Sequence, residues 1–264
     1  MSDNKELVIV TSFWNRPQLL KSLYYSTNLS LKIKWKMLVI DNGSDGPYKD
    51  WIDSWGRGQK RFNVEIITRE AYSKNLSNRM SSAEHGAALD VAMKHLDGCQ
   101  SLIVIMDSDI IWMKPRWNEL FEKLLDTHDH ITTVRKDCEI CPAPYISAFY
   151  KKFIDNNNIT FAPRTDERLQ VLRPTAQNDV GWMMNNIRQD KWAVLSQKTP
   201  GIGYSRALLI KHEEEIIAEH LSAGRKRKNG RIESWTNACL DILKSNIKKD
   251  SIAADNNNSS NKNN

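Results

Sequence analysis

The stretch Ile103-Val104-Ile105-Met106-Asp107-Ser108-Asp109 constrains this chain more than any other. Four apolar residues in a row read as a strand covered on both faces, and two carboxylates sit one residue apart where it ends. Charged groups seldom lie against a core without a partner. Along a strand, residues i and i+2 point the same way, so Asp107 and Asp109 can turn oxygens toward one hard cation. The same spacing also suits a capping acid followed by a turn acid, and only context separates the two readings.

That context begins with the order of the elements. Leu7 to Val10 reads as a buried strand, and Pro17 opens a helix whose Leu19, Leu20, Leu23 and Tyr24 share one face. Lys36 to Ile40 is a second strand, closed by the dense turn signal Asp41-Asn42-Gly43-Ser44-Asp45-Gly46. Val64 to Ile67 is a third. Apolar positions recur at helical spacing from Ala83 to Leu96 and again from Trp117 to Leu125. Strands alternating with helices predict a mostly parallel sheet covered on both faces, with ligands collecting at the carboxyl ends of the strands. Three polar clusters fall there: Thr11 to Arg16, Asp41 to Gly46, and Asp107 to Asp109.

The second half is less regular. Ile146 to Phe149 and Lys191 to Leu195 read as strands, Val180 to Ile187 and Ala207 to Leu221 as helices. The length, 264 residues, fits one α/β domain with appendages. No apolar run reaches the roughly 20 residues that span a membrane. The polar start, Met1 to Glu6, reads as lacking a signal peptide, and four cysteines without one suggest reduced thiols and a cytoplasmic location. Cys138 and Cys141 have the spacing of half a zinc site, but no second pair follows at finger spacing.

Of the net charge of +6, the segment from Gly224 to Asp250 holds +5, so the rest of the chain is near neutral. This predicts a domain over 1–223, a basic appendage over 224–250, and a disordered Asn- and Ser-rich tail over 251–264. Arg225-Lys226-Arg227-Lys228-Asn229-Gly230-Arg231 reads as a solvated loop, or as a patch for an anionic membrane surface or a nucleic acid.

In this order the pieces resemble a GT-A glycosyltransferase of the family 2 type. Val10-Thr11-Ser12-Phe13-Trp14-Asn15-Arg16-Pro17 is similar to the family's first strand and helix start. Val39-Ile40-Asp41-Asn42-Gly43-Ser44 is similar to its acid-rich turn, with Asn42 in place of the usual second acid. His85-Gly86-Ala87-Ala88-Leu89-Asp90 stands where a glycine-containing helix leads into an Asp-x-Asp strand. Pro144 to Phe153 is similar to the acceptor-site segment, and Asn178-Asp179-Val180-Gly181-Trp182 to the late acidic motif. The match runs from about residue 7 to 195. The resemblance implies a three-layer α/β/α sandwich and a metal-dependent transfer of a sugar from a nucleotide-sugar donor.

By the same resemblance, Thr11, Arg16, and Asp41 or Asn42 line the base and ribose, a UDP-sugar being the favoured donor. Mn²⁺ or Mg²⁺ is expected on Asp107 and Asp109, because a diphosphate leaving group carries charge that must be offset and brings oxygens of its own. Asp109 is the direct ligand, while Asp107 binds the metal or reaches the ribose. An inverting transfer needs one base for the acceptor hydroxyl, and Asp179 holds the family's position for it; the residue also suits a helix cap. Trp182 reads as a sugar-stacking ring or as core. His85 reads as a donor contact or as structural, and His212 and His220 as late metal ligands or solvated residues.

The acceptor is open: a glycan, protein, lipid or modified nucleic acid. Two other functions compete. A nucleotidyltransferase would want a Gly- and Lys-rich phosphate loop, and Thr11 to Pro17 contains neither. A non-catalytic nucleic-acid binder would use the basic tail.

Overall fold

The first strand, β1 (Leu7–Phe13), sends Leu7, Ile9 and Phe13 into one apolar cluster and Val8 and Val10 into another. That alternation makes it a central strand with helices on both faces. The computed structural model describes residues 6–59, 63–70, 82–135, 138–161, 187–199, 201–202, 207–221 and 229–260, with the side chains of 82–83, 135, 138–144, 189, 229 and 253–260 outside the description.

The chain proceeds as β1, α1 (Pro17–Ser30), β2 (Trp35–Asp41), α2 (Gly46–Gln59), β3 (Val64–Thr68), α3 (Ser82–His95), β4 (Leu102–Met106), β5 (Ile110–Trp112), α4 (Trp117–Leu125), β6 (His130–Arg135), β7 (Cys138–Tyr150), α5 (Lys151–Asn156), β8 (Trp192–Lys198), β9 (Leu208–His212), β10 (Glu215–His220) and α6 (Asn229–Ser260). The sheet order is β3-β2-β1-β4-β7-β6-β8-β9-β10-β5. The four strands from the first half pair in parallel, as expected. The second half is attached by antiparallel ladders, except where β6 meets β8 in parallel. On one face, α1 and α4 contribute Leu20, Leu23, Trp117 and Phe121 to the core; on the other, α3 and α5 contribute Ala88, Leu89, Ala92, Phe153 and Ile154. The result is the three-layer α/β/α arrangement, with a mixed sheet in the middle.

Two expectations change. Ala207 to Leu221 is not a helix but the β9–β10 hairpin, turning at Glu213 with φ of 52°. Its Leu, Ala, Glu and Lys content favours helix locally, yet β8 and β5 supply ladders on either side, and tertiary pairing overrides propensity. The Asp41 to Gly46 turn leads into α2, a helix that the turn residues alone do not announce. The last helix, α6, crosses the appendage and tail boundary at 250/251 without a break and continues to Ser260. The helix is packed against the domain at Ile232, Trp235 and Cys239.

His130 shows how strongly the core is closed. It is fully buried, its ring stacked on Phe153 at 4.7 Å between centroids and edge-on to Trp192 at 5.3 Å. Neither ring nitrogen has a hydrogen-bond partner among the described residues. Burial, with a smaller push from His128, lowers its pKa to about 3. The folded protein holds this imidazole neutral while the unfolded chain protonates it near pH 6.5, so its stability is complete above that pH. It is lost as pH falls toward 3, at about 1.4 kcal/mol per pH unit. His130→Phe is expected to keep the fold and flatten the decline in urea-unfolding free energy between pH 6.5 and 4. An equal slope in both proteins would refute the burial account.

Candidate functional site

The carboxyl ends of β1 and β2 are laced together by short polar side chains. Asn15, held at a positive φ of 50°, donates from Nδ2 to Asp45 and accepts the Asp45 backbone N–H at 3.0 Å. Its own backbone N–H donates to Ser44 Oγ at 3.2 Å. Asp41, the last residue of β2, is fully buried and accepts the Ser44 N–H at 3.1 Å through Oδ1. Its Oδ2 is buried without a hydrogen-bond partner among the described residues. Burial raises the Asp41 pKa, against the lowering effect of the Ser44 hydrogen bonds.

Asn42 occupies the place where an acid was expected, and its neighbours account for the amide. Its Oδ1 accepts from Arg69 Nη1, and its Nδ2 donates to the Glu84 carbonyl at 3.2 Å. Arg69 in turn bonds Glu84 Oε2 at 2.7 Å, both side chains being buried. A carboxylate can accept from Arg69 but has no N–H for the Glu84 carbonyl. The amide therefore completes a network that joins the ends of β2 and β3 to the start of α3. Arg69 and Glu84 were not picked out from the sequence. The available signal was an arginine one residue past the Ile66-Ile67-Thr68 end of β3, where its backbone N–H donates to the Asp41 carbonyl. Thr11 lies one step inside the sheet and is fully buried, while half-buried Arg16 precedes α1 and its carbonyl accepts the Leu19 N–H at 3.1 Å.

The second half of the site lies after β4. Asp107 and Asp109 do not sit in the strand as i, i+2 neighbours; they belong to the tight turn that joins β4 to β5. The turn still brings them together, because the Asp107 N–H donates to the Tyr145 carbonyl at 3.0 Å and the Asp109 carbonyl accepts the Leu221 N–H at 2.9 Å. The second bond continues the antiparallel ladder of β5 with β10, in which His220 stands opposite Ile110. His220 thereby reaches both acids, Nε2 lying 3.1 Å from Asp109 Oδ1 and 3.9 Å from Asp107 Oδ2.

His220 is 4% exposed and packs against the Tyr145 ring at 4.4 Å between centroids. Burial pushes its pKa down, but the Asp109 carboxylate, followed by Asp107, outweighs that and leaves it raised. On the other side His85, at the start of α3, places Nε2 3.6 Å from Asp107 Oδ1. His212 is at the turn end of the hairpin, opposite Glu215, and does not join the cluster. Of the two late histidines, the strand pairing selects His220. Asp179, Trp182 and Arg225 to Lys228 lie outside the described residues, as do the side chains of Cys138 and Cys141. Arg231 is exposed on α6.

The residues present fit a divalent cation. One ligand atom from each of Asp107, Asp109 and His220 can be chosen so that all lie within 4.8 Å of one another. The 3.1 Å separation of Nε2 and Oδ1 matches the edge of an octahedron with bonds of about 2.1–2.2 Å, which spans about 3 Å. Two carboxylates plus one imidazole are a ligand set that several divalent cations accept.

Residues 8–213 match the family described as Glycosyl transferase family 2. The chain belongs to that family. Its fold is shared with solved GT-A glycosyltransferases. Galactosyltransferase LgtC, in complex with donor and acceptor sugar analogs, aligns at a TM-score of 0.55 and 10% identity, over 90% of this chain and 95% of LgtC. The apo form of the glycosyltransferase GlyE from Streptococcus pneumoniae TIGR4 aligns at 0.52 and 13% identity, over 94% of this chain and 64% of GlyE. TarS 1–349 from S. aureus aligns at 0.48 and 13% identity, over 73% of this chain. The family 2 chain covers 58% of that TarS structure and 45% of a second GlyE structure, so some of these proteins are considerably longer. No match is found among curated proteins.

The network of Asn42, Arg69 and Glu84 carries a stability test. Glu84→Ala leaves the Arg69 charge buried beside a neutral amide and is expected to cost about 3–5 kcal/mol in urea unfolding. The double variant Arg69→Met/Glu84→Leu removes both charges and is expected to recover most of that loss. Additive losses in the two positions would contradict the pairing.

Proposed function

We propose that this family 2 protein transfers a sugar from a nucleotide-sugar donor to an acceptor hydroxyl, at a site built on Asp107, Asp109 and His220. The observation that carries this reading is the convergence of those three side chains at the edge of the sheet, within 4.8 Å of one another, beside the β1 and β2 ends. A divalent cation bound there supplies positive charge to the diphosphate as the glycosidic bond breaks.

The protein's own residues divide the remaining work. Asp107, Asp109 and His220 would hold the cation, and His85, next to Asp107, would donate to a donor oxygen. The buried Asp41 Oδ2, which has no hydrogen-bond partner among the described residues, is a candidate acceptor for a base N–H, consistent with a nucleotide donor such as a UDP-sugar. We assign the general base of an inverting reaction to Asp179, on the strength of its place in the late acidic motif. It would take the acceptor hydroxyl's proton as the oxygen attacks the anomeric carbon and the nucleoside diphosphate departs on the opposite face.

A thermal-shift panel of sugar nucleotides with and without Mn²⁺ tests the donor site. The matching UDP-sugar is expected to raise Tm only when the metal is present, since a ligand at 100 times its Kd adds about 2.7 kcal/mol. Asp109→Ala and His220→Ala are expected to lose both that shift and sugar transfer while keeping a folded circular-dichroism spectrum. Undiminished turnover in either would remove the cation assignment. For Asp179→Asn the expected result is an unchanged donor shift with transfer lost; normal transfer would dismiss it as the base.

A further inference from the structure

His220 lies on β10, which pairs with β9 on one side and with β5 on the other. The β5–β10 ladder has three residue pairs and is continued by the Leu221 N–H to the Asp109 carbonyl at one end and the Met113 N–H to the Ile217 carbonyl at the other. Its register decides which way His220 faces. A slip of one residue would turn His220 away from the acids, because successive side chains on a strand point to opposite faces.

The C-terminal helix lies across this ladder. Ile232, Trp235 and Cys239 of α6 pack with Ile111 of β5, with Leu221 just past β10, and with Leu19 of α1. Trp235 Nε1 donates to Glu219 Oε1 at 2.9 Å, in a fully buried contact. The other Glu219 oxygen accepts the Ile202 N–H at 2.8 Å. Glu219 is the residue before His220, and its side chain points to the face opposite. Fixing Glu219 on the α6 side therefore fixes the pleat that aims His220 at Asp107 and Asp109. Further along the helix, Thr236 meets Ser22 at 2.8 Å, and Asn246 Nδ2 donates to the Met113 carbonyl at 2.9 Å. Those contacts attach α6 to the domain without touching Glu219.

We infer that Trp235 is a positioning residue for His220, acting through Glu219, and that α6 belongs to the metal-binding machinery rather than being an appendage to it. This rests on the cation reading of Asp107, Asp109 and His220, and the test separates the two. Mn²⁺ binding to the full chain is measured by electron paramagnetic resonance, with Tm recorded alongside. Trp235→Phe keeps the ring in the apolar cluster and deletes only the N–H donor. It is expected to weaken Mn²⁺ binding by about tenfold, the scale of losing a residue that orients a metal ligand. Asn246→Ala, which removes a contact of α6 away from Glu219, is expected to lower Tm while leaving the Mn²⁺ affinity at the wild-type value.

Two results overturn the inference: an unchanged affinity in Trp235→Phe, or an equal weakening in Asn246→Ala, which would mark the effect as general loosening. If the wild type binds no Mn²⁺, or His220→Ala binds it as well as the wild type does, the cation reading itself fails. A wild type that binds, with His220→Ala weak and Trp235→Phe unchanged, removes the Trp235 role alone.

Discussion

The contact between Asp109 and His220 is the interaction on which the rest of the site depends. Two carboxylates held at the mouth of a core repel each other and lose solvation, so the fold must bring a compensating group to them. It does so from more than a hundred residues downstream in sequence, by adding β10 against β5. Imidazolium and a bound cation are alternative answers to the same electrostatic demand. That is why a raised His220 pKa and a site fit for a divalent ion appear at one place: each reflects negative potential gathered by the turn after β4.

The same logic runs along the edge of the sheet toward β2. There the charge is carried by Arg69 and Glu84, and the amide of Asn42 closes the network by accepting from Arg69 and donating to the Glu84 carbonyl, a bond an acid could not make. Glu84 and His85 are adjacent on α3, so the helix that completes the Arg69 network also sets a histidine beside Asp107. The two ends of the site are thus connected through one helix start. A shift of α3 would be felt at both.

Much of this was legible in the sequence wherever the signal is local. The apolar runs of β1, β2 and β4 and the polar residues after each one place three clusters at one edge, because buried parallel strands leave a plain record in their composition. Asp107 and Asp109 do come together, but a turn, and not strand alternation, makes them converge. What stayed hidden depends on contacts remote in sequence. The hairpin carrying His220 has a helix former's composition and becomes strand only because β8 and β5 flank it. Choosing His220 over His212 required knowing which end of that hairpin meets the acids. Arg69 is one arginine among many until Glu84 and Asn42 are seen around it.

The C-terminal helix shows how charge can mask structure. Counting lysines and arginines made the segment from 224 an appendage, yet Ile232, Trp235, Cys239 and Leu243 follow one another at intervals of three and four and are all buried. That spacing is the stripe of an amphipathic helix committed to a surface. Its polar residues, Arg231, Lys244, Lys248 and Lys249, are exposed because the stripe faces α1 and β5. Basicity here is what remains on the outside once the apolar side is used. A tryptophan in that stripe, spending its one N–H on a buried glutamate next to a histidine, ties the end of the chain to the acids after β4.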